Sequence, residues 1–386
     1  MLLLWLACAP HPTDSAEPAT AQTLVVPLRW VGGSPLLDWP QAQAGLWWSL
    51  SSLGALPPDA TALVVDSLAD GAVTFSLDLG AVGFPAEAAG TLAEIAAEMQ
   101  SDPSVARHGG VDVGRFLMRT LHEPWRYYAL TGACATAAQW QATRQQPDPA
   151  VYAVTDSLLV EGSRLIEVND QAGAVGAIGF RSAEVSGTLG AHTVEELEVV
   201  DVMPNGRQRF AVYSASGALQ PASDPALSPA GQPGRCLWCH ESRLMLGQPN
   251  PDVEGYWSYE SFAEAIAAQS ALLEAHRASL ETVVDFTEPS VHTWGELLVE
   301  EFLFPTPARV ALEWGISEGA VRAAGLDGTK SEEYPAWGTV YARAAVDGAL
   351  WAREGWRPVE TLASSRAAPE SVRLAPADLR DCGTVR

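Results

Sequence analysis

The feature that most constrains the fold is a change of texture around a Pro, Ser and Gly rich segment, residues 216–234 (SGALQPASDPALSPAGQPG). Before it, apolar residues tend to alternate with a period of two. After it they recur at helical spacing. Strand patterns occur at 23–30, 62–65 and 72–79, separated by turn clusters such as Pro57-Pro58-Asp59, and suggest a small antiparallel sheet. Helical patterns at 86–99 and 113–121 follow, the second stopped by Pro124. Strand signals return at 151–160, 165–168, 174–180, 197–203 and 208–213, with hairpin turn residues at Pro204-Asn205-Gly206. Beyond the connection, one apolar stripe through Phe262, Ile266, Leu273, His276, Leu280 and Val284 predicts a long helix over 259–284. Shorter helices are expected at 293–304, 308–314 and 317–324. The pattern predicts an α+β chain: a β-rich N-terminal domain at 23–215, a linker at 216–234, a mainly helical domain at 235–357 and an irregular tail at 358–386.

Charge and length narrow the partners. With 386 residues, 47% of them hydrophobic, the chain can bury a large core. Its formal charge of -24 repels phosphate backbones, so nucleic acid is not an expected partner. The helix-turn-helix-like run at 309–324 reads as two packed helices, because its second helix carries few basic residues. The same charge suits a basic protein partner and also serves solubility. The adjacent acid pairs Glu195-Glu196, Glu300-Glu301 and Glu332-Glu333 point different ways on their elements and read as solvated faces.

The start of the chain, residues 1–22, pairs an apolar run ending in Leu6-Ala7-Cys8 with a Pro, Ala, Ser and Thr rich tether. It resembles the lipobox of bacterial lipoproteins, which implies an exported protein anchored through a lipid on Cys8. It departs from that pattern in having a short apolar run with no preceding Lys or Arg. Cys134 and Cys382 can pair in an oxidising compartment. Such a bridge would close a long loop and contribute about 4 to 5 kcal/mol in the chain-entropy picture. The alternative is one buried thiol and one thiol in the tail.

The most specific chemistry lies at Cys236-Leu237-Trp238-Cys239-His240, a C-x-x-C-H sequence. A chain with 5 Cys and 7 His among 386 residues matches it by chance roughly 0.001 times. Two thiols one helical turn apart can each form a thioether with a haem vinyl group, and the histidine then lies under the iron. Zinc is poorly supported, since no second Cys or His pair at ligand spacing follows. A sixth iron ligand from a downstream Met is excluded, because the last one, Met245, is only five residues beyond His240. His292 and His276 are the candidates, and Met203, next to Pro204, is a weaker one. Arg235 and Arg243 flank the motif and suit haem propionates. Trp238 is fixed beside the porphyrin by the motif, and Tyr256, Trp257 and Trp294 are further wall candidates.

Over Arg235 to Arg243 the chain resembles exported c-type cytochromes, and as a whole it resembles uncharacterised bacterial mono-haem lipoproteins. The resemblance implies one covalent haem c, held by Cys236, Cys239 and His240, in a periplasm-facing, membrane-anchored protein that exchanges one electron with a redox partner. Two rival readings stay open. One is a haem enzyme with an open distal site acting on peroxide or a small gas. The other is a haem-free structural lipoprotein with a Cys236–Cys239 disulfide.

Overall fold

A computed structural model describes residues 24–69, 71–144, 149–155, 163–169, 173–227, 231–240, 243–245, 249–354, 379–380 and 382. Cys8 and the tether lie outside these residues, as does most of the tail. The chain is mixed α and β with several sheets.

The first sheet is built from β1 (Val25–Val31), β2 (Leu63–Ala69), β3 (Ala72–Asp78) and β4 (Val111–Asp112), in the order β2-β3-β1-β4. β1 alternates as its sequence requires, burying Val26, Leu28 and Trp30. Its neighbour β3 is antiparallel and β4 parallel. Between β1 and β2 runs α1 (Trp39–Ser52), which the sequence pattern does not announce. Its residues from Leu46 to Ser52 are all buried, so there is no polar face to create a period. Its entry is marked by a capping box between Asp38 and Gln41, with Pro40 in the first turn. Three buried serines satisfy themselves within the helix; Ser49 Oγ, for example, donates to the Gly45 carbonyl at 2.8 Å.

Four short helices follow β3: α2 (Ala89–Ser101), α3 (Pro103–His108), α4 (Val113–Thr120) and α5 (Pro124–Thr131), then α6 (Ala137–Arg144). Asp112 caps α4, and Gly132, at φ 69°, ends α5 in the left-handed region.

The second sheet contains β5 (Ala150–Val154), β6 (Ser163–Val168), β7 (Gly179–Thr188), β8 (Ala191–Val202), β9 (Gln208–Ser214) and β10 (Leu219–Gln220). It is an antiparallel meander in sequence order. α6 packs on one face, where Trp140 Nε1 donates to buried Asp201 at 2.6 Å. The β9 edge is covered by α5: the Phe210 and Val212 amides donate to the Tyr127 and Tyr128 hydroxyls at 3.1 and 3.2 Å.

The opposite face carries α7 (Pro233–His240) and α8 (Tyr259–Ala278). Then come α9 (Val291–Leu303), α10 (Pro307–Trp314), α11 (Glu318–Arg322), a hairpin of β11 (Gly328–Lys330) and β12 (Thr339–Tyr341), and α12 (Arg343–Glu354). Helices α1 and α9 cross so closely that a Cβ on Gly45 would lie 2.6 Å from the Trp294 carbonyl carbon. Only glycine admits that approach. The main hydrophobic core runs from Val26 to Val340 and takes in residues on both sides of 216–234, including Phe210, Leu237 and Trp238.

Three expected elements are corrected. The strand expected from 174 begins only at Gly179, preceded by a 3₁₀ turn at Val175–Ala177. The Arg144 guanidinium draws that turn in by donating to the Gly176 and Ile178 carbonyls. The helix expected to reach Val284 ends at Ala278, because the Thr282 hydroxyl and Val283 amide turn away to bond the Pro57 carbonyl. The helix expected from 293 begins at Val291, which puts His292 in the first turn of α9.

Cys134 and Cys382 form a disulfide with their Cα atoms 5.3 Å apart, tying residues 248 apart in sequence. The Ala135 amide donates to the Arg380 carbonyl beside it. Cys134→Ser/Cys382→Ser is expected to destabilise the chain by about 2 to 5 kcal/mol. Urea unfolding in oxidising buffer checks this, and an unchanged midpoint would remove the bridge from the stabilising contacts.

Candidate functional site

Helix α7 carries the C-x-x-C-H residues with two distinct sides. Leu237 and Trp238 face the main core, while Cys236 is half-buried, Cys239 exposed and His240 half-buried. The spacing i, i+3, i+4 places Cys236, Cys239 and His240 together on the other side. The two thiols are free rather than joined to each other.

The core side is anchored by rings. Trp238 stacks on Trp48 of α1 at 5.4 Å and on His122, between α4 and α5, at 5.8 Å. Gly234 lets the start of α7 close on Leu121, whose carbonyl oxygen would lie 2.3 Å from a Cβ there. His122 is fully buried, and neither ring nitrogen has a hydrogen-bond partner among the described residues. Burial, reinforced by nearby Arg235, depresses its pKa to about 3, so the ring is neutral. Sequence reading missed His122, because one histidine between two apolar helices carries no spacing signal.

The thiol side looks onto the second sheet. His240 rests against the Phe210 ring at 5.2 Å, and among the described residues its imidazole makes no hydrogen bond. Burial, then Arg164, lowers its pKa to about 4. Burial, then the charge of Glu198, pushes the Cys236 thiol up. Arg164, Glu184, Glu196 and Glu198 belong to one sheet face, by the register of β6 with β7 and β8. The Arg164 guanidinium lies 2.8 Å from Glu184 and 3.7 Å from Glu198. Glu196 accepts from the Asp224 amide at 2.9 Å. One guanidinium thus pairs with two partly or fully buried carboxyls, Glu184 and Glu198, beside a third, Glu196. Burial raises Glu184 to about 8 and Glu196 to about 7.

The remaining sequence candidates are placed as follows. His276 Nε2 lies 2.8 Å from the Pro204 carbonyl oxygen. His292 Nδ1 lies 2.6 Å from the Pro289 carbonyl oxygen, and Nε2 lies 3.2 Å from the Thr293 hydroxyl. The His292 ring also packs on Trp48 at 6.3 Å, which connects it to α7 through Trp238 and so from the side away from the thiols. Met203 is buried beside Gly54 in the β8–β9 turn. Arg235 packs over Gly231 at the start of α7, and Arg243 is exposed just beyond it. Trp257 pairs with Tyr152 of β5 and packs under α8; Trp294 lies at the α1–α9 crossing. Tyr256 packs at the margin of the main core.

The donor chemistry suits covalent attachment of a porphyrin, with two unjoined thiols and an imidazole on one helix face and a buried aromatic stack behind it, while Cys236 packs against the main core and His240 against Phe210. Among the described residues, no three His, Cys, Asp or Glu side chains are gathered to hold a bare metal ion. No described helix is long and apolar enough to cross a membrane. No family model matches the chain, and no curated protein or solved structure shows significant similarity to it.

The depressed His122 fixes the sign of a pH effect. Above pH 6.5 both folded and unfolded imidazoles are neutral; below it the unfolded ring takes a proton that the buried one refuses down to about 3. Stability is therefore lost as pH falls through this interval. At pH 5, His122→Gln should be spared about 2 kcal/mol of the wild-type loss from pH 7.5. Urea midpoints at the two pH values measure it, and parallel losses in both proteins would contradict a neutral His122.

Proposed function

We propose that the chain is an exported mono-haem c-type protein that transfers one electron at a time, with haem on Cys236 and Cys239 and His240 as the axial ligand. The observation that carries this reading is the single face of α7 that holds both free thiols and the imidazole, backed by Leu237 and Trp238 in the core. Bound haem supplies a one-electron couple whose potential depends on its axial ligands and surroundings. The chain's own part is orientation and electrostatics. Trp48 and His122 fix the rotation of α7 through Trp238, so the thiols keep to the side that faces the second sheet. Phe210 limits the swing of His240. Arg164 and its three carboxyls set the local field.

The net charge of -24 supports association with a basic redox partner and disfavours nucleic acid. A lipid on Cys8 would hold the body at a periplasm-facing membrane, probed by mass and by release with detergent. A second reading, a distal site open to peroxide or a small gas, draws on the local bonds that occupy His276 and His292. A high-spin spectrum that responds to added ligand would favour it over simple electron transfer.

The test is expression of the full chain with an export signal in a host that attaches c-type haem, followed by the pyridine haemochrome spectrum of the denatured protein. Covalent haem is expected in the wild type and absent from Cys236→Ala/Cys239→Ala. His240→Ala should retain at most haem with disturbed ligation. A folded, exported wild type without haem would refute the reading and leave the haem-free lipoprotein.

A further inference from the structure

We propose that the recess between α1, the β8–β9 turn, the C-terminal end of α8 and the loop before α9 is a carboxylate-binding site, with Arg207, Arg243 and Arg277 as its cationic wall. The recess has a volume of about 60 Å³, and Trp48, Phe286 and His292 are among its other lining residues. It lies on the Trp48 side of α7, and none of the three C-x-x-C-H residues lines it.

Three guanidiniums meet here in a chain with twice as many acidic as basic residues. Arg207 is only 1% exposed; its Nε donates to the Ser51 hydroxyl at 2.7 Å. Its guanidinium lies over both the Trp48 ring, at 5.0 Å, and the Phe286 ring, at 4.7 Å. Arg277 lies over the same Phe286 ring at 5.2 Å, and its Nε donates to the Gly206 carbonyl at 2.8 Å. Its Nη2 is buried and has no hydrogen-bond partner among the described residues. Burial and then Arg277 hold Arg207 well below the usual arginine range, and burial lowers Arg277 to about 10 against the opposing charge of Glu274.

Two carboxylates also line the recess, but their oxygens are committed to their own loop. Asp285 Oδ1 accepts from the Thr287 amide and hydroxyl, both at 2.7 Å, and from the Glu288 amide at 3.1 Å. Glu288 Oε1 accepts from the Ser290 amide at 2.9 Å. Neither forms an ion pair with the three arginines within the described residues. Guanidinium forks flanked by aromatic rings suit a planar, bidentate anion, which is a carboxylate. The recess opens into a groove of about 850 Å³ that shares Arg243, Arg277, Asp285 and Phe286, is flanked by Glu274, and continues past Leu280, Val283 and Val284. The ligand thus combines a carboxylate head with an apolar body.

A free organic acid offers that chemistry, since haem held as proposed above would lie on the opposite side of α7 from the recess. The probe is octanoate, titrated by calorimetry into the full chain exported from a host that lacks haem attachment and into the haem-loaded chain. Saturable binding to the haem-free protein is expected, weakened at least tenfold by Arg277→Gln and by Arg243→Gln, with circular dichroism confirming that both variants fold. Haem loading is expected to leave octanoate binding unchanged, and loss of binding on loading would overturn the separation of the recess from the thiol side of α7. If no haem can be loaded, the haem-free titration alone still decides the recess. Absence of saturable binding to the folded haem-free chain, or equal binding by both variants, overturns the proposal.

Discussion

Everything placed around the C-x-x-C-H helix depends on the ring stack of Trp48, Trp238 and His122. Helix α7 is only eight residues long and would not persist on propensity alone. Its direction comes from burying Leu237 and Trp238 between helices that precede it by more than a hundred residues. Stacked aromatic rings bury large areas and resist rotation about the helix axis. Once Trp238 is fixed, the helical period carries Cys236, Cys239 and His240 to the opposite side.

That arrangement puts contrasting environments on the two sides of one helix. Behind it, His122 is neutral and apolar in effect. In front of it, Arg164 faces Glu184, Glu196 and Glu198, and burial raises the first two carboxyls to about 8 and about 7. Charge segregation recurs elsewhere: buried Arg309 and Arg343 are paired with Glu313 and, in turn, with Asp112 and Asp347. The Arg207–Arg277 pair over Phe286 departs from that habit, and this is why the recess stands out in an acidic chain.

Strands were legible where one face alternated. The edges of β3 and β9 lie close to their sequence patterns because alternating residues meet a core on one side and a polar or mixed environment on the other, whereas β8 begins at Ala191, six residues before its pattern. The helix α1 was not legible, since burial on all sides erases the period that reveals a helix. The stripe of α8 was legible but overextended: the Pro57 carbonyl, more than two hundred residues upstream, captures Thr282 and Val283. Local pattern cannot register a bond made by so distant a partner.

At the site, the motif and its spacing were fully legible, and so were the flanking arginines. His122 and Arg207 were not, because nothing near them in the sequence marks them. By itself the sequence determined the acidic balance, the strand and helix periods of the two halves, and the chemistry available at Cys236, Cys239 and His240. These follow from composition and from local spacing along one chain. Tertiary structure alone decided which side of α7 faces the core, that Cys134 meets Cys382, that the core continues across residues 216–234, and that three arginines share a recess. Each of those depends on burial that brings residues far apart in sequence into contact, and such contacts leave no period to read.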